Sequence, residues 1–318
     1  MELDKLVEGY RLYCQAEGKS RHTIRWYMGK LAVFSDYLRS HTGTINSEAL
    51  STETIRGFIT YLQQSVRADE LNPKKPTREA SLSGQTIQGY VRVIKAFFSW
   101  AARENLIDEN PTRRVKVPKA PKTIVATFSE SQVKQLLAAI DRTHPTGFRD
   151  YCIMLTLLDT GIRLSELVGL EIPALDLQEG HVRVMGKGSK ERIVPLGASL
   201  QKALWKYMTR YRPAPLHPNQ KAVFLTREGH ALSASTVYHL IQDYGKNVGL
   251  QGVRCSPHTF RHTFSKNFLL NGGDVFSLQK ILGHSSLAVV RMYVELASQD
   301  VQVQHRKYSP VDCMKLKV

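Results

Sequence analysis

Three prolines and five cationic side chains share the stretch NPTRRVKVPKAPKT, positions 110–123. No helix or central strand runs through such a segment: each proline removes a backbone donor and fixes φ, and the lysines and arginines resist burial. The chain is thereby cut in two, and its 318 residues, about twice the usual size of one domain, suit two separately packed cores. The expected divisions are a first unit over 1–112, a basic linker over 113–127, a second unit over 128–300 and a tail over 301–318.

Ahead of the linker the apolar residues recur at three- and four-residue steps, the spacing of a helix with one buried face. Leu3, Leu6, Val7 and Tyr10 form one stripe; Ile24, Tyr27, Leu31, Phe34 and Leu38 follow Ser20; Ile55, Phe58, Ile59 and Leu62 follow Ser51; Val91, Ile94, Phe97 and Phe98 follow Ser83. Four amphipathic helices, each opened by a capping residue, make a small bundle. The segment ADELNPKKPTREASLSG (68–84) has no period and two prolines, and is expected as an exposed loop. Beyond Ser129 helices return with one interruption: HVRVM and ERIVPL alternate around GKGSK, as a hairpin or small three-stranded sheet does, with Lys187 at its turn. The expected fold is therefore mainly α with a small β-sheet: an N-terminal four-helix bundle followed by an α+β unit.

Forty-four lysines and arginines face 28 acidic residues, and a formal charge of +16 is a strong field for a polyanion such as nucleic acid. A membrane partner is set aside, since no apolar run approaches the roughly 20 residues that span a bilayer. The start MELDKLVEGY lacks a basic segment ahead of an apolar one, so a cytoplasmic location is expected. Cys14, Cys152, Cys255 and Cys313 are far apart and follow neither metal-ligand nor disulfide spacing; they read as reduced, structural thiols, with no metal and no cofactor implied.

The polar groups concentrate late in the chain. In SPHTFRHTF, Ser256 and Pro257 suit the cap and first position of a helix whose buried side carries Phe260, Phe264 and Phe268, while His258, Arg261, His262 and Ser265 fall on another side. His258 and Arg261 leave its first turn beside unpaired N–H groups, a place that receives an anion, although an HxxR pair taken alone is more often a structural salt bridge or surface pair. In LLDTGIRLSELVGL a helix breaks at Thr160 and Gly161 and restarts after Arg163; Glu166, one turn on, pairs with that arginine or leaves it to an anion. His284 in LGHSS reads as a loop strut or a functional group, and Tyr293 in VVRMYVEL as a packed ring or a reactive phenol. Singly each is ordinary. Together, two arginines, a lysine, two histidines and a tyrosine supply a nucleophile, a proton acceptor, cationic clamps and an acid, the inventory for breaking a phosphodiester without metal.

In order and spacing, TGIRLSEL, GKGSKERIVPLG, HTFRHTF, LGHSS and Tyr293 resemble the motifs of the tyrosine recombinases, the phage integrase family, and especially its two-domain Xer-like members. Phe260 stands where many relatives carry leucine. The resemblance implies a helical core-binding domain over 1–112 and a catalytic domain over 128–300, with no room ahead of the bundle for a further arm-binding domain. It implies double-stranded DNA as partner and a recombination reaction that cuts and rejoins strands without ATP or metal. Tyr293 is then the nucleophile, leaving a 3′-phosphotyrosyl link and a free 5′-hydroxyl. Arg163 and Arg261 clamp the non-bridging oxygens, His258 takes or balances the tyrosine proton, Lys187 protonates the departing oxygen, His284 supports the transition state and Glu166 orients Arg163. Four strand exchanges imply a homo-tetramer on two duplexes, assembled from free monomers or dimers, with the tail docking in cis or onto a neighbour. Arg113, Arg114, Lys116, Lys119 and Lys122 of the linker are candidates for contact with the phosphate backbone. Two alternatives use overlapping residues: a type IB topoisomerase, and a DNA-binding relative without catalysis.

Overall fold

A computed structural model describes residues 2–41, 43, 50–64, 82–119, 126–186, 191–283 and 309. It divides into two compact units, Met1–Thr123 and Ile124–Val318.

The first unit consists, among the described residues, of helices α1 (Leu3–Ala16), α2 (Arg21–His41), α3 (Thr52–Gln64) and α4 (Gly84–Arg103). Ser20, Ser51 and Ser83 each accept a hydrogen bond from the backbone N–H three residues on, at 3.2 Å, relieving one orphan donor at the start of α2, α3 and α4. The expectation that every helix opens on a capping residue fails at α1: Glu2 makes no side-chain cap, and only Asp4 places negative charge in that first turn. The apolar stripes meet as expected. Leu6, Leu31, Phe34, Phe58, Leu62, Phe97 and Phe98 are all buried, with Phe34 edge-on to Phe58 at 5.0 Å.

The prolyl segment after α4 is strapped along the bundle. Lys95 Nζ donates to the carbonyls of Thr112 and Val115 (2.8 and 2.7 Å), Gln88 Nε2 to that of Pro118 (2.7 Å) and Thr52 Oγ1 to that of Pro111 (2.9 Å). Val115 is buried in the bundle core and Val117 packs against it, while Arg113, Arg114, Lys116 and Lys119 stay exposed. The expected loop, as far as residue 81, and Lys122 lie outside the described residues.

The second unit starts with α5 (Glu130–Ala138), α6 (Pro145–Thr160) and α7 (Leu164–Val168). A three-stranded antiparallel sheet follows, ordered β1 (Leu175–Asp176), β2 (His181–Met185), β3 (Glu191–Pro195). Then come α8 (Ala198–Lys206), a π-helical turn (Tyr207–Tyr211), α9 (Ala234–Asn247), α10 (Pro257–Leu270) and α11 (Val275–Leu282). The register sets Val182 against Val194 and Val184 against Arg192, so Val182, Val184 and Val194 reach the core beside Leu157, Leu167, Leu204 and Phe260. Phe128 meets Phe260 edge-on at 5.0 Å, and its N–H donates to Thr263 Oγ1 at 2.9 Å, joining the start of this unit to α10.

Helix α10 departs from the expected two-sided pattern. Phe260 and Phe264 are buried, but so are Thr259, Arg261, Thr263 and Ser265, because α10 packs against both α6 and α11. Its small hydroxyls return to their own helix, Thr263 to the carbonyl of Thr259 and Ser265 to that of Arg261, each at 2.8 Å, which makes their burial tolerable. Among the described residues no helix is long and apolar enough to cross a membrane. Cys14, Cys152 and Cys255 are buried and unbridged, and burial pushes the Cys152 thiol up to about 12; Cys313 lies outside the described residues.

Gly161 ends α6 in the left-handed region, φ 59°, and a Cβ there would overlap the Phe264 ring and come within 3.0 Å of Leu282. Gly161→Ala should destabilise the second unit by about 3 kcal/mol, combining backbone strain with overpacking, read as a lower denaturation midpoint in urea.

Candidate active site

The left-handed turn at Gly161 releases the chain from α6, and Arg163 takes an extended conformation (φ −73°, ψ 153°) as the cap residue of α7. One turn on, Glu166 reaches back: its carboxylate accepts from the Arg163 backbone N–H at 2.8 Å and from Arg163 Nη1 at 2.9 Å. The expected pairing of these two residues is therefore present, but Glu166 has a further partner. Arg192, from β3, donates Nη1 to Oε1 and Nη2 to Oε2 of Glu166, both at 2.8 Å. The Glu166 side chain is 2% exposed, Arg192 12% and Arg163 37%, so the cluster opens outward through Arg163. Burial alone would raise the Glu166 carboxyl; the bonds from Arg192 and Arg163 outweigh it and hold the group below the usual carboxylate range.

Arg261 is deeper. Its Nη1 donates to the carbonyl of Gly161 at 2.6 Å and its Nη2 to the carbonyl of Leu282 at 2.9 Å. Arg192 Nε takes the neighbouring carbonyl, that of Ile281, at 2.7 Å. Two guanidinium groups thus occupy the C-terminal carbonyls of α11, where the helix dipole favours positive charge. Gly283 then closes α11 in the left-handed region (φ 64°) and leads towards His284; a Cβ at Gly283 would stand 3.0 Å from Arg192 Cδ.

His258 stands exposed in the first turn of α10, whose Ser256 cap accepts from Thr259 N–H at 3.3 Å with Pro257 at the first position, as the sequence predicts. His262, one turn along, is half-buried. Burial first, then the neighbouring His258 and Arg261, push its imidazole down to about 4.

The described geometry brings Arg163, Glu166 and Arg261 to one end of α6, α7 and α11, with His258 on the same helix as Arg261. Lys187, His284 and Tyr293 lie outside the described residues. Arg113, Arg114, Lys116 and Lys119 belong to the first unit. Sequence reasoning missed Arg192, and the signal for it was a strand period: in ERIVP the inward position of Val194 is shared by Arg192, a cation facing the core. Among the described residues no group of three or more His, Cys, Asp or Glu is arranged to hold a metal ion.

The phage integrase family model matches residues 126–300, and the phage integrase SAM-like domain matches residues 6–117. The chain belongs to the phage integrase family. It is 32% identical to tyrosine recombinase XerD of Proteus mirabilis over 295 residues, covering 92% of this chain and 89% of that one. It is 27% identical to tyrosine recombinase XerD of Listeria monocytogenes serotype 4b (strain F2365), covering 97% and 99%. Among solved structures it shares the fold of the XerH site-specific recombinase bound to a palindromic difH substrate, with a TM-score of 0.71 at 19% identity, covering 98% of this chain and 84% of that one. The mainly helical fold with one small sheet and the tyrosine recombinase membership expected from the motifs are both met.

His262 should remain neutral at neutral pH, with an NMR titration midpoint near pH 4. An unfolded histidine binds its proton near pH 6.5, so between about 6.5 and 4 the unfolded chain holds more protons and stability falls as the pH falls. The urea midpoint should therefore drop from pH 7 to pH 5, and His262→Asn should show a smaller drop.

Proposed function

We propose that the protein is a site-specific DNA recombinase in which Tyr293 Oη attacks the scissile phosphorus. The Oη–P bond forms as the P–O5′ bond breaks, leaving a 3′-phosphotyrosyl link. His258 accepts the phenolic proton or balances it, Lys187 delivers a proton to the departing 5′-oxygen, and His284 supports the charge of the transition state. Arg163 and Arg261 clamp the non-bridging oxygens, and Glu166 sets the orientation of Arg163. The observation that carries this reading is the convergence of those two arginines on one turn: Arg261 grips the Gly161 carbonyl, two residues before Arg163. Fixed guanidinium donors aimed at developing phosphoryl charge are worth most when they need no reorganisation at the moment of reaction.

The phosphotyrosyl bond conserves the energy of the broken phosphodiester until another 5′-hydroxyl attacks it, so the exchange draws on neither ATP nor a metal. The partner is a double-stranded recombination site; the XerH site-specific recombinase that shares this fold is bound to a palindromic difH substrate. Four strand exchanges call for a homo-tetramer on two duplexes, formed from monomers or dimers, and a DNA substrate suits a cytoplasmic protein. Similarity to recombinases along nearly the whole chain favours this reaction over relaxation by a monomeric type IB topoisomerase. The exposed Arg113, Arg114, Lys116 and Lys119, together with Lys122, would add backbone contacts from the core-binding side.

On a suicide duplex carrying the recognition site, the unsubstituted protein should accumulate a covalent adduct, and Tyr293→Phe should form none while binding the duplex normally. Adducts persisting in that variant would remove Tyr293 as nucleophile. Arg163→Ala should slow adduct formation by about 100- to 1,000-fold and also lower fold stability, since it takes one of four donors from the buried Glu166. Arg261→Ala should lose both, because it also strands the carbonyls of Gly161 and Leu282. Duplex affinity should fall steeply with salt, and replacing Arg113 and Arg114 by alanine should reduce the slope of log K against log[salt] by about one to two.

A further inference from the structure

Arg192 is the charged residue of this cluster that the motif chemistry leaves without a task. It stands on the inward side of β3, and its fork engages both oxygens of Glu166 while Nε holds the Ile281 carbonyl. Arg163 supplies the other two bonds to Glu166, one from its backbone and one from Nη1. Four donors fill the acceptor capacity of a carboxylate, and neither oxygen can rotate without breaking a bond. The charges matter as much as the geometry. One anion between two cations leaves a net positive cluster, exposed mainly through Arg163. Without Arg192, Glu166 and Arg163 would cancel, and a carboxylate with empty acceptor positions would draw the Arg163 fork into a bidentate pair.

We propose that Arg192 is a positioning residue for strand cleavage: it neutralises and locks Glu166, so that the charge of Arg163 stays directed at the scissile phosphate. Its bond to Ile281 extends the same hold to the end of α11, and its side chain lies against Gly283, the residue before His284. Arg192 thus ties β3, the start of α7 and the end of α11 into one unit. This inference rests on the reading of Arg163 as a phosphate clamp.

The test uses the full chain with Arg192→Gln and Arg192→Lys. Adduct formation is followed in a single turnover on a suicide duplex at saturating protein, duplex affinity is measured in a Tyr293→Phe background, and folding is followed in urea. Arg192→Gln should slow adduct formation at saturation by about 100-fold, the scale of a clamp displaced by an ångström, with duplex affinity unchanged. Arg192→Lys keeps the charge without the fork and should fall between Arg192→Gln and the unsubstituted chain; it carries the test if Arg192→Gln does not fold. Adding Glu166→Gln to Arg192→Gln removes the uncompensated carboxylate and should restore part of the lost rate, whereas scaffold damage would deepen the loss. Arg192 variants that cleave at the unsubstituted rate, or a double variant slower than Arg192→Gln, overturn the proposal. Absence of adducts with the unsubstituted chain overturns the phosphotyrosyl reading, and this inference with it.

Discussion

A guanidinium group withdrawn from water has to find acceptors inside the protein, and at Arg261, 6% exposed, those acceptors are the loose ends of two helices. The last carbonyls of a helix have no partner within it. Gly161 ends α6 and Leu282 ends α11, and their carbonyls receive Arg261 at 2.6 and 2.9 Å. Each side solves the other's problem: the arginine gains acceptors, and the buried helix ends avoid stranded carbonyls. The left-handed glycines follow from this arrangement, because both helices must stop abruptly, at Gly161 and Gly283, to present those carbonyls in one place. Three helices are thereby fixed relative to one another by a single side chain.

A second carrier of charge sits on the same framework. Glu166 is buried more completely than either arginine that meets it, and its ionised form persists because four donors replace water. Removing a donor from such a site costs more than the bond itself, since an unsatisfied charge stays behind. The two arginines therefore differ in kind. Arg192 is enclosed and held at three N–H groups, while Arg163 is held at its backbone and one nitrogen and turns the rest of its fork outward. A cation presented in that way needs little rearrangement to meet an anion.

Most of what the sequence disclosed was local chemistry. Ser20, Ser51 and Ser83 announce their helices because a cap bonds only three residues away. The Arg163–Glu166 pair was legible for the same reason, being one turn apart, and the stripe Leu31, Phe34, Leu38 needs only the helical period. What escaped was set by packing between distant elements. Arg192 finds Glu166 across 26 residues and Ile281 across 89, and neither distance is encoded nearby. Its inward direction depends on the register of β2 with β3, which puts Val194 in the core and leaves Ile193 61% exposed. The burial of α10 on more than its phenylalanine side was equally hidden, since Arg261 and Ser265 read as part of a polar side until α6 and α11 close over the helix. At α1 the local rule itself gave way, and packing of Leu3, Leu6 and Tyr10 holds the helix without a side-chain cap.

These two kinds of information meet in the division of labour at the site. Of the described motif residues that the sequence singles out, Arg163 and His258 reach solvent, whereas Glu166 and Arg261 are buried. The groups that hold them are chosen by the fold: carbonyls at helix ends, a strand position and the glycine beside it. A guanidinium serves both sets because its planar fork can be saturated on one edge and presented on the other. Lysine, with a single rotatable ammonium, cannot divide itself in that way. The preference for arginine at 163, 192 and 261 is therefore geometric before it is electrostatic, and it explains how several cations share one small volume: each is drawn towards an acceptor fixed by the backbone or by Glu166, and Arg163 is left the most exposed of the three.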